Sequence, residues 1–179
     1  MKDHIYRKYH DEVWGVPEHD DRKLFAKLCL DGAQAGLSWY TILIRTEGYA
    51  KAFDQWDAEK IARYTPKRIE KLLQDPGIIR NRQKVESVVK NASAYLRIME
   101  GGAGSFDRFL WKHVGHTTRV NQWKERGQIP TRTAVSDAMS KDLQQAGFSF
   151  VGSTIVYAFM QACGMVDDHL LSCWRRSGR

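Results

Sequence analysis

Three groups of residues in this chain have the types and spacing to do chemistry. The first is DGAQAGLSWYTIL at positions 31–43. One carboxylate (Asp31) and one amide (Gln34) stand beside Trp39 and Tyr40, the equipment for holding a planar, electron-poor ligand against flat aromatic faces. Gly32 and Gly36 admit backbone angles closed to other residues, and Leu37 reads as an apolar residue displayed by a polar turn. The same spacing also suits an ordinary corner between two helices, with Trp39 packed in the core.

The second group is Leu72-Leu73-Gln74-Asp75-Pro76-Gly77-Ile78-Ile79-Arg80-Asn81. Two helices joined by a tight glycine-containing turn leave N–H groups at the start of the second helix, a site that favours anions. Arg80, Arg82 and Lys84 add positive charge close by. A phosphate held this way is positioned rather than read for sequence. The third group is Asp168-His169-x-x-x-Cys173. On a helix, His169 and Cys173 would share a face, a spacing that suits two ligands of zinc, with His10 in Tyr9-His10-Asp11-Glu12 as third. A structural zinc takes four protein ligands, and His4, Cys163 and Asp3 are unsupported candidates for the fourth. No serine–histidine–aspartate signature, phosphate-binding glycine loop or paired-carboxylate motif stands out, so nothing points to nucleotide hydrolysis or acyl transfer.

The elements that must position these groups read as helices. Asp20 and Asp21 are N-cap candidates for a helix whose apolar residues Leu24, Phe25, Leu28 and Cys29 recur at helical spacing and which ends at Asp31-Gly32. A mostly buried helix is expected over 37–44, a short continuation over 49–53, and short helices over 57–64 and 66–73, the last with Pro66 in its first turn. After the break at Asp75-Pro76-Gly77, Val85, Val88, Val89, Ala92, Leu96 and Met99 mark a long amphipathic helix. Residues 106–114 form another helix, 115–134 an irregular polar segment, and 136–146 a capped helix opened by Ser136. An apolar helix follows over 150–164. Trp14-Gly15-Val16-Pro17 reads as a turn. No alternating strand pattern exceeds four residues, so the fold class is all-α, as a single domain over 1–179.

Composition narrows the partners. With 42% apolar residues, six tryptophans and seven each of tyrosine and phenylalanine, the chain can fill a core. No run of about eighteen apolar residues marks a membrane span, and the charged N-terminus does not read as a signal peptide. Three cysteines without an export signal point to a reducing compartment. The formal charge of +7, from 28 basic against 21 acidic residues, suits a polyanionic partner.

Taken together, YHDEVWGVPEHDDRKLFAKLCLDGAQAGLSWYTIL, DPGIIRNRQKVESVVKNASAYL and DAMSKDLQQAGFSFVGSTIVYAFMQACGMVDDHLLSC resemble the 3-methyladenine DNA glycosylase I family, in order from about Tyr9 to Cys173. The resemblance implies a helix-hairpin-helix fold, with the hairpin at about 66–99, and excision of 3-methyladenine from double-stranded alkylated DNA by a bacterial cytoplasmic monomer with no membrane partner. It makes residues 72–82 the grip on the phosphate backbone, through Gly77, Ile78, Arg80, Arg82 and Lys84. Leu37 becomes the wedge into the duplex, with Gly36 allowing close approach. Tyr9 and Trp39 become aromatic walls of a base pocket whose recognition groups include Asp31 and Gln34; Asp31, Tyr9 and Trp39 are the catalytic candidates.

The resemblance also implies that His10, His169 and Cys173 are three ligands of a structural zinc joining the two ends of the chain, 1–18 and 165–179. Two positions depart from the family pattern. Aspartate stands at 31 where the family normally has glutamate, which retracts the carboxylate by roughly one carbon–carbon bond, and about 1 Å of misplacement costs on the order of a hundredfold in rate. The family's fourth zinc cysteine and a pocket aromatic precede the tyrosine–histidine pair, and the eight residues before Tyr9 contain neither. The expectations left open are a truncated start, a three-liganded zinc or a lost site. In function, the alternatives to a glycosylase are a catalytically weak DNA-damage-binding relative and a zinc-clipped helical adaptor.

Overall fold

The computed structural model describes the backbone of residues 2–177 and the side chains of residues 4–176. It is built almost wholly from helices: α1 (Lys2–Glu12), α2 (Asp21–Gln34), α3 (Trp39–Leu43), α4 (Thr46–Ala52), α5 (Ala58–Ile61), α6 (Pro66–Leu72), α7 (Arg82–Met99), α8 (Ser105–Trp111), α9 (Ala134–Gln145), α10 (Ser153–Ala162) and α11 (Trp174–Ser177). Two two-residue strands, β1 (Arg119–Val120) and β2 (Val166–Asp167), pair in parallel inside the segment expected to be irregular and the tail. No helix of the described residues is long and apolar enough to cross a membrane.

Helix α2 is the central beam. Asp20 caps its start by accepting from the Lys23 N–H at 2.9 Å. Leu24, Phe25 and Leu28 then fall on one face and are wholly buried. Helix α10, apolar along most of its length, packs on α2 and α9, and α7 packs on α2, α5 and α8. The interior is aromatic: Phe25, Phe53, Phe106, Trp111 and Phe159 are among its largest fully buried side chains.

Several local expectations are revised. Helix α2 does not end at Asp31-Gly32 but runs to Gln34, because Gly32 serves packing: a Cβ there would sit 3.1 Å from Phe150. The break comes at Gly36, whose φ of +74° lies in the left-handed region. Helix α3 is shorter than the expected 37–44 and buries only Ile42 fully. Helix α9 starts at Ala134, with Thr133 as its cap and Ser136 in its first turn. His169 and Cys173 lie in an irregular turn after β2 rather than on a helix face, and the Cys173 N–H donates to Leu170 O at 2.9 Å to close that turn.

Candidate functional site

The last turn of α2 brings Asp31 and Gln34 to a cavity of about 440 Å³, lined also by Tyr6, Tyr9, Lys27 and Trp39. The stretch 31–43 therefore contributes from two elements: carboxylate and amide from the end of α2, tryptophan from the start of α3. Ser38 caps α3 by accepting from Thr41 N–H at 3.3 Å. Helix α1 closes the other side, and its Tyr6 corrects the expectation that no pocket aromatic precedes Tyr9. Its Tyr6 hydroxyl accepts from Tyr40 N–H at 3.0 Å, and the Tyr6 and Tyr40 rings stack at 5.7 Å. Tyr9 and Trp39 touch, with centroids 5.4 Å apart and planes tilted by 44°. A base slotted between two rings needs about 7 Å between them, so these two form a shared V-shaped wall rather than a parallel clamp.

Asp31 is 2% exposed. One carboxylate oxygen, Oδ1, accepts from the Lys27 ammonium one helical turn earlier, while Oδ2 is buried without a hydrogen-bond partner. Burial pushes the Asp31 carboxyl above the usual carboxylate range, and Lys27 opposes that rise without cancelling it. The Lys27 ammonium also lies 4.1 Å from the centroid of Trp39. Trp39 Nε1–H is likewise buried without a partner. Two residues that line this cavity therefore each carry a buried polar atom, one acceptor and one donor, with no hydrogen-bond partner in the protein. Burial, then the Asp31 charge, raises the Tyr9 hydroxyl above its ordinary value, so Tyr9 stays a neutral phenol. Burial does the same to the Cys163 thiol, which stays protonated and inert.

Lys27 carried no expectation. Its signal was its place four residues before Asp31 on the same expected helix, a same-face pair that the sequence alone does not mark as buried. Asp168, next to His169, also lines the cavity. Its carboxylate is fully engaged, accepting from Asn121 Nδ2 and Trp123 Nε1 at 2.7 Å, Tyr157 OH at 2.7 Å and Gln161 Nε2 at 2.8 Å. Four donors leave it no lone pair for a proton-transfer role, and it anchors the tail after β2 instead.

His10, His169 and Cys173 do come together: one ligand atom from each lies within 4.8 Å of the others. Cys173 Sγ is 3.5 Å from His10 Nε2. That is the separation of about 3.5 Å that a tetrahedral ion sets between a thiolate at about 2.3 Å and an imidazole nitrogen at about 2.0 Å. His10 Nδ1 is bonded to Asp11 Oδ1 at 2.7 Å and His169 Nδ1 to Asp167 Oδ1 at 2.7 Å. A carboxylate on Nδ1 fixes the tautomer and turns Nε2 toward the cluster, the usual support of metal-bound histidine. The chain clears room for His169: Gly15 has φ +77°, and a Cβ there would stand 2.7 Å from His169 Cε1. The donor set fits zinc. Among the other candidates, Cys163 and His4 do not join the cluster of described residues, and the side chain of Asp3 lies outside them.

The hairpin expectations divide. Arg80 is exposed, whereas Arg82 is held by Glu70 at 2.5 Å and Glu86 at 3.4 Å. Lys84 does not face outward as a free charge. Its ammonium donates to Ala33 O at 2.8 Å and Ala35 O at 2.7 Å, the carbonyls ending α2. Ile78 is 3% exposed as a whole residue and its N–H points to Asp75 O at 3.5 Å, while the Gly77 N–H donates to Asp75 Oδ1 at 2.7 Å and Gly77 packs against Gly48 of α4, so neither presents the outward N–H group expected of it. Leu37, at 39%, is one of the exposed large apolar residues, on the turn that Lys84 secures.

The family model described as methyladenine glycosylase matches residues 1–176. DNA-3-methyladenine glycosylase 1 of Escherichia coli (strain K12) is 48% identical over 172 residues, 96% of this chain and 91% of that protein. DNA-3-methyladenine glycosylase of Haemophilus influenzae (strain ATCC 51907 / DSM 11121 / KW20 / Rd) is 50% identical over 169 residues, covering 94% and 91%. A solved structure of 3-methyladenine DNA glycosylase I from Staphylococcus aureus, bearing on its recognition of 3-methyladenine, superposes with a TM-score of 0.94 at 39% identity, over 98% of this chain and 93% of that one. With its sequence and its helical scaffold both matched over nearly their whole length, the chain belongs to the methyladenine glycosylase family.

Proposed function

We propose that the protein is a DNA glycosylase that hydrolyses the N-glycosidic bond of 3-methyladenine in alkylated DNA. The observation that carries the reading is the cavity itself: a buried carboxylate with one oxygen unpartnered, beside the joined faces of Tyr9 and Trp39. Methylation at N3 puts a positive charge on adenine, so the glycosidic bond is already labile and the departing base needs no proton. The pocket therefore needs faces and acceptors rather than a general acid. The base must first leave the stack, and a damaged pair makes that cheaper.

Asp31 Oδ2 is the acceptor for the exocyclic amine of the extruded base, and its charge favours a cationic ligand over an unmodified one. Tyr9 and Trp39 supply π-faces along their V, and Gln34 a further polar contact. Leu37, displayed by the turn at Gly36, fills the space the base vacates. The hairpin between α6 and α7 meets the backbone with the exposed Arg80, while the Gly77 and Ile78 N–H groups are turned to Asp75 and Arg82 and Lys84 shape the hairpin from their ion pairs and carbonyl contacts. Water is the nucleophile.

His10, His169 and Cys173 hold a zinc ion in this reading. Bound there, zinc is structural and ties α1, which carries Tyr9, to the tail after β2.

Incubating the protein with methylated duplex DNA and measuring free base tests the proposal. Release of 3-methyladenine well above the spontaneous rate is expected, falling on the order of a hundredfold in Asp31→Asn. Binding of the duplex without release would replace this reading with that of a damage-binding relative. Loss of both would leave the zinc-clipped adaptor.

A further inference from the structure

The pocket already contains a cation. Lys27 and Asp31 sit one helical turn apart, the Lys27 side chain is 16% exposed, and its ammonium lies over Trp39. A base charged by methylation brings a second positive charge into the same space. We propose that Lys27 is a specificity-determining residue that biases the pocket toward the base as it leaves rather than as it arrives. The inference rests on the glycosylase reading and concerns the same cavity.

The electrostatics follow from the positions. While the glycosidic bond is intact the methylated base is cationic and is repelled by the Lys27 ammonium, which also offsets the attraction of Asp31. As the bond breaks, its electron pair stays with the base, which becomes neutral, and the positive charge moves to the sugar, farther from Lys27. Repulsion is therefore larger in the ground state than in the transition state, and a difference of that sign lowers the barrier rather than merely weakening binding. The remaining polar groups suit a neutral adenine edge. Lys27 offers donors beside the unpartnered Asp31 Oδ2 acceptor, a pair that matches a ring nitrogen next to an exocyclic amine.

A structural role for Lys27 would lower all binding alike, so the test compares two ligands. Free 3-methyladenine, neutral at mildly alkaline pH, and 3,9-dimethyladeninium, a fixed cation, are titrated against the full chain, Lys27→Met and Lys27→Arg. In Lys27→Met the affinity for the cation should rise relative to that for the neutral base by on the order of ten- to a hundredfold, the effect of one near charge in a partly buried site. Lys27→Arg should keep the parent ratio. On alkylated DNA, Lys27→Met should lower KM and kcat together. Equal shifts for both ligands, or none, with base release by the parent intact, would overturn the inference and leave the glycosylase reading standing. A parent chain that binds neither base and releases none would overturn both.

Discussion

Asp31 illustrates how one side chain can hold opposite tendencies in balance. Burial raises its pKa, and Lys27 pulls it down only part of the way. The sign for activity follows. In the proposed reading the anionic form of Asp31 is the working one, and it is lost by protonation as pH falls through a value above the usual carboxylate range of about 4. The acid limb of the kcat/KM profile should therefore lie above that range, and removing the Asp31 carboxyl in Asp31→Asn should abolish the limb along with most of the activity. For stability the sign is reversed. A carboxyl with a raised folded pKa favours the folded state most when protonated, so the Asp31 contribution weakens as pH rises through its folded value. An acid limb at the ordinary carboxylate position would show that Asp31 is solvated in the working enzyme. The sequence made Asp31 visible as a charge but not as a buried one. Its partner Lys27 lay four residues away on the same expected helix, but spacing alone could not show that this pair faces a cavity beside Trp39.

At the scale of elements, the α6–α7 hairpin and the α2–α3 turn form one device. Lys84 leaves the first turn of α7 and caps the end of α2 through the carbonyls of Ala33 and Ala35. Burial lowers the Lys84 pKa, and the two carbonyls compensate the desolvated ammonium with hydrogen bonds. Lys84→Met should remove both bonds and loosen the Leu37 turn. Its effect should then resemble Leu37→Ala: excision of the lesion falls about tenfold or more while binding to undamaged duplex changes little, as measured by single-turnover release and by titration. Equal losses on undamaged DNA would mean that Lys84 serves the backbone grip directly. Periodicity made both helices of the hairpin legible, since Pro66 and the valines of α7 announce them. It could not show that Ile78 faces the core, that Arg82 is spent on Glu70 and Glu86, or that Lys84 reaches 51 residues back to α2. Those outcomes depend on which helices become neighbours, and a local spacing rule does not contain that information.

In the whole molecule, the two ends of the chain meet over the pocket. His10 on α1 and His169 and Cys173 on the tail are separated by about 160 residues in sequence and by at most 4.8 Å between ligand atoms. Metal analysis should find close to one zinc per chain. Chelation should lower the melting temperature by several degrees and weaken base release, because α1 carries the pocket residues Tyr6 and Tyr9. A stoichiometry near zero with melting indifferent to chelator would remove the site. The histidine–cysteine spacing suggested this cluster for the wrong local reason, a helix face, whereas a turn after a two-residue parallel ladder brings the atoms together. The brace at Lys84 has a last consequence at this scale. Because it joins the corner between α6 and α7 to the Leu37 turn, the span between the proposed phosphate grip and the proposed wedge is set within the protein and not by the flexing of a duplex. In the proposed reading the protein is a caliper of fixed opening.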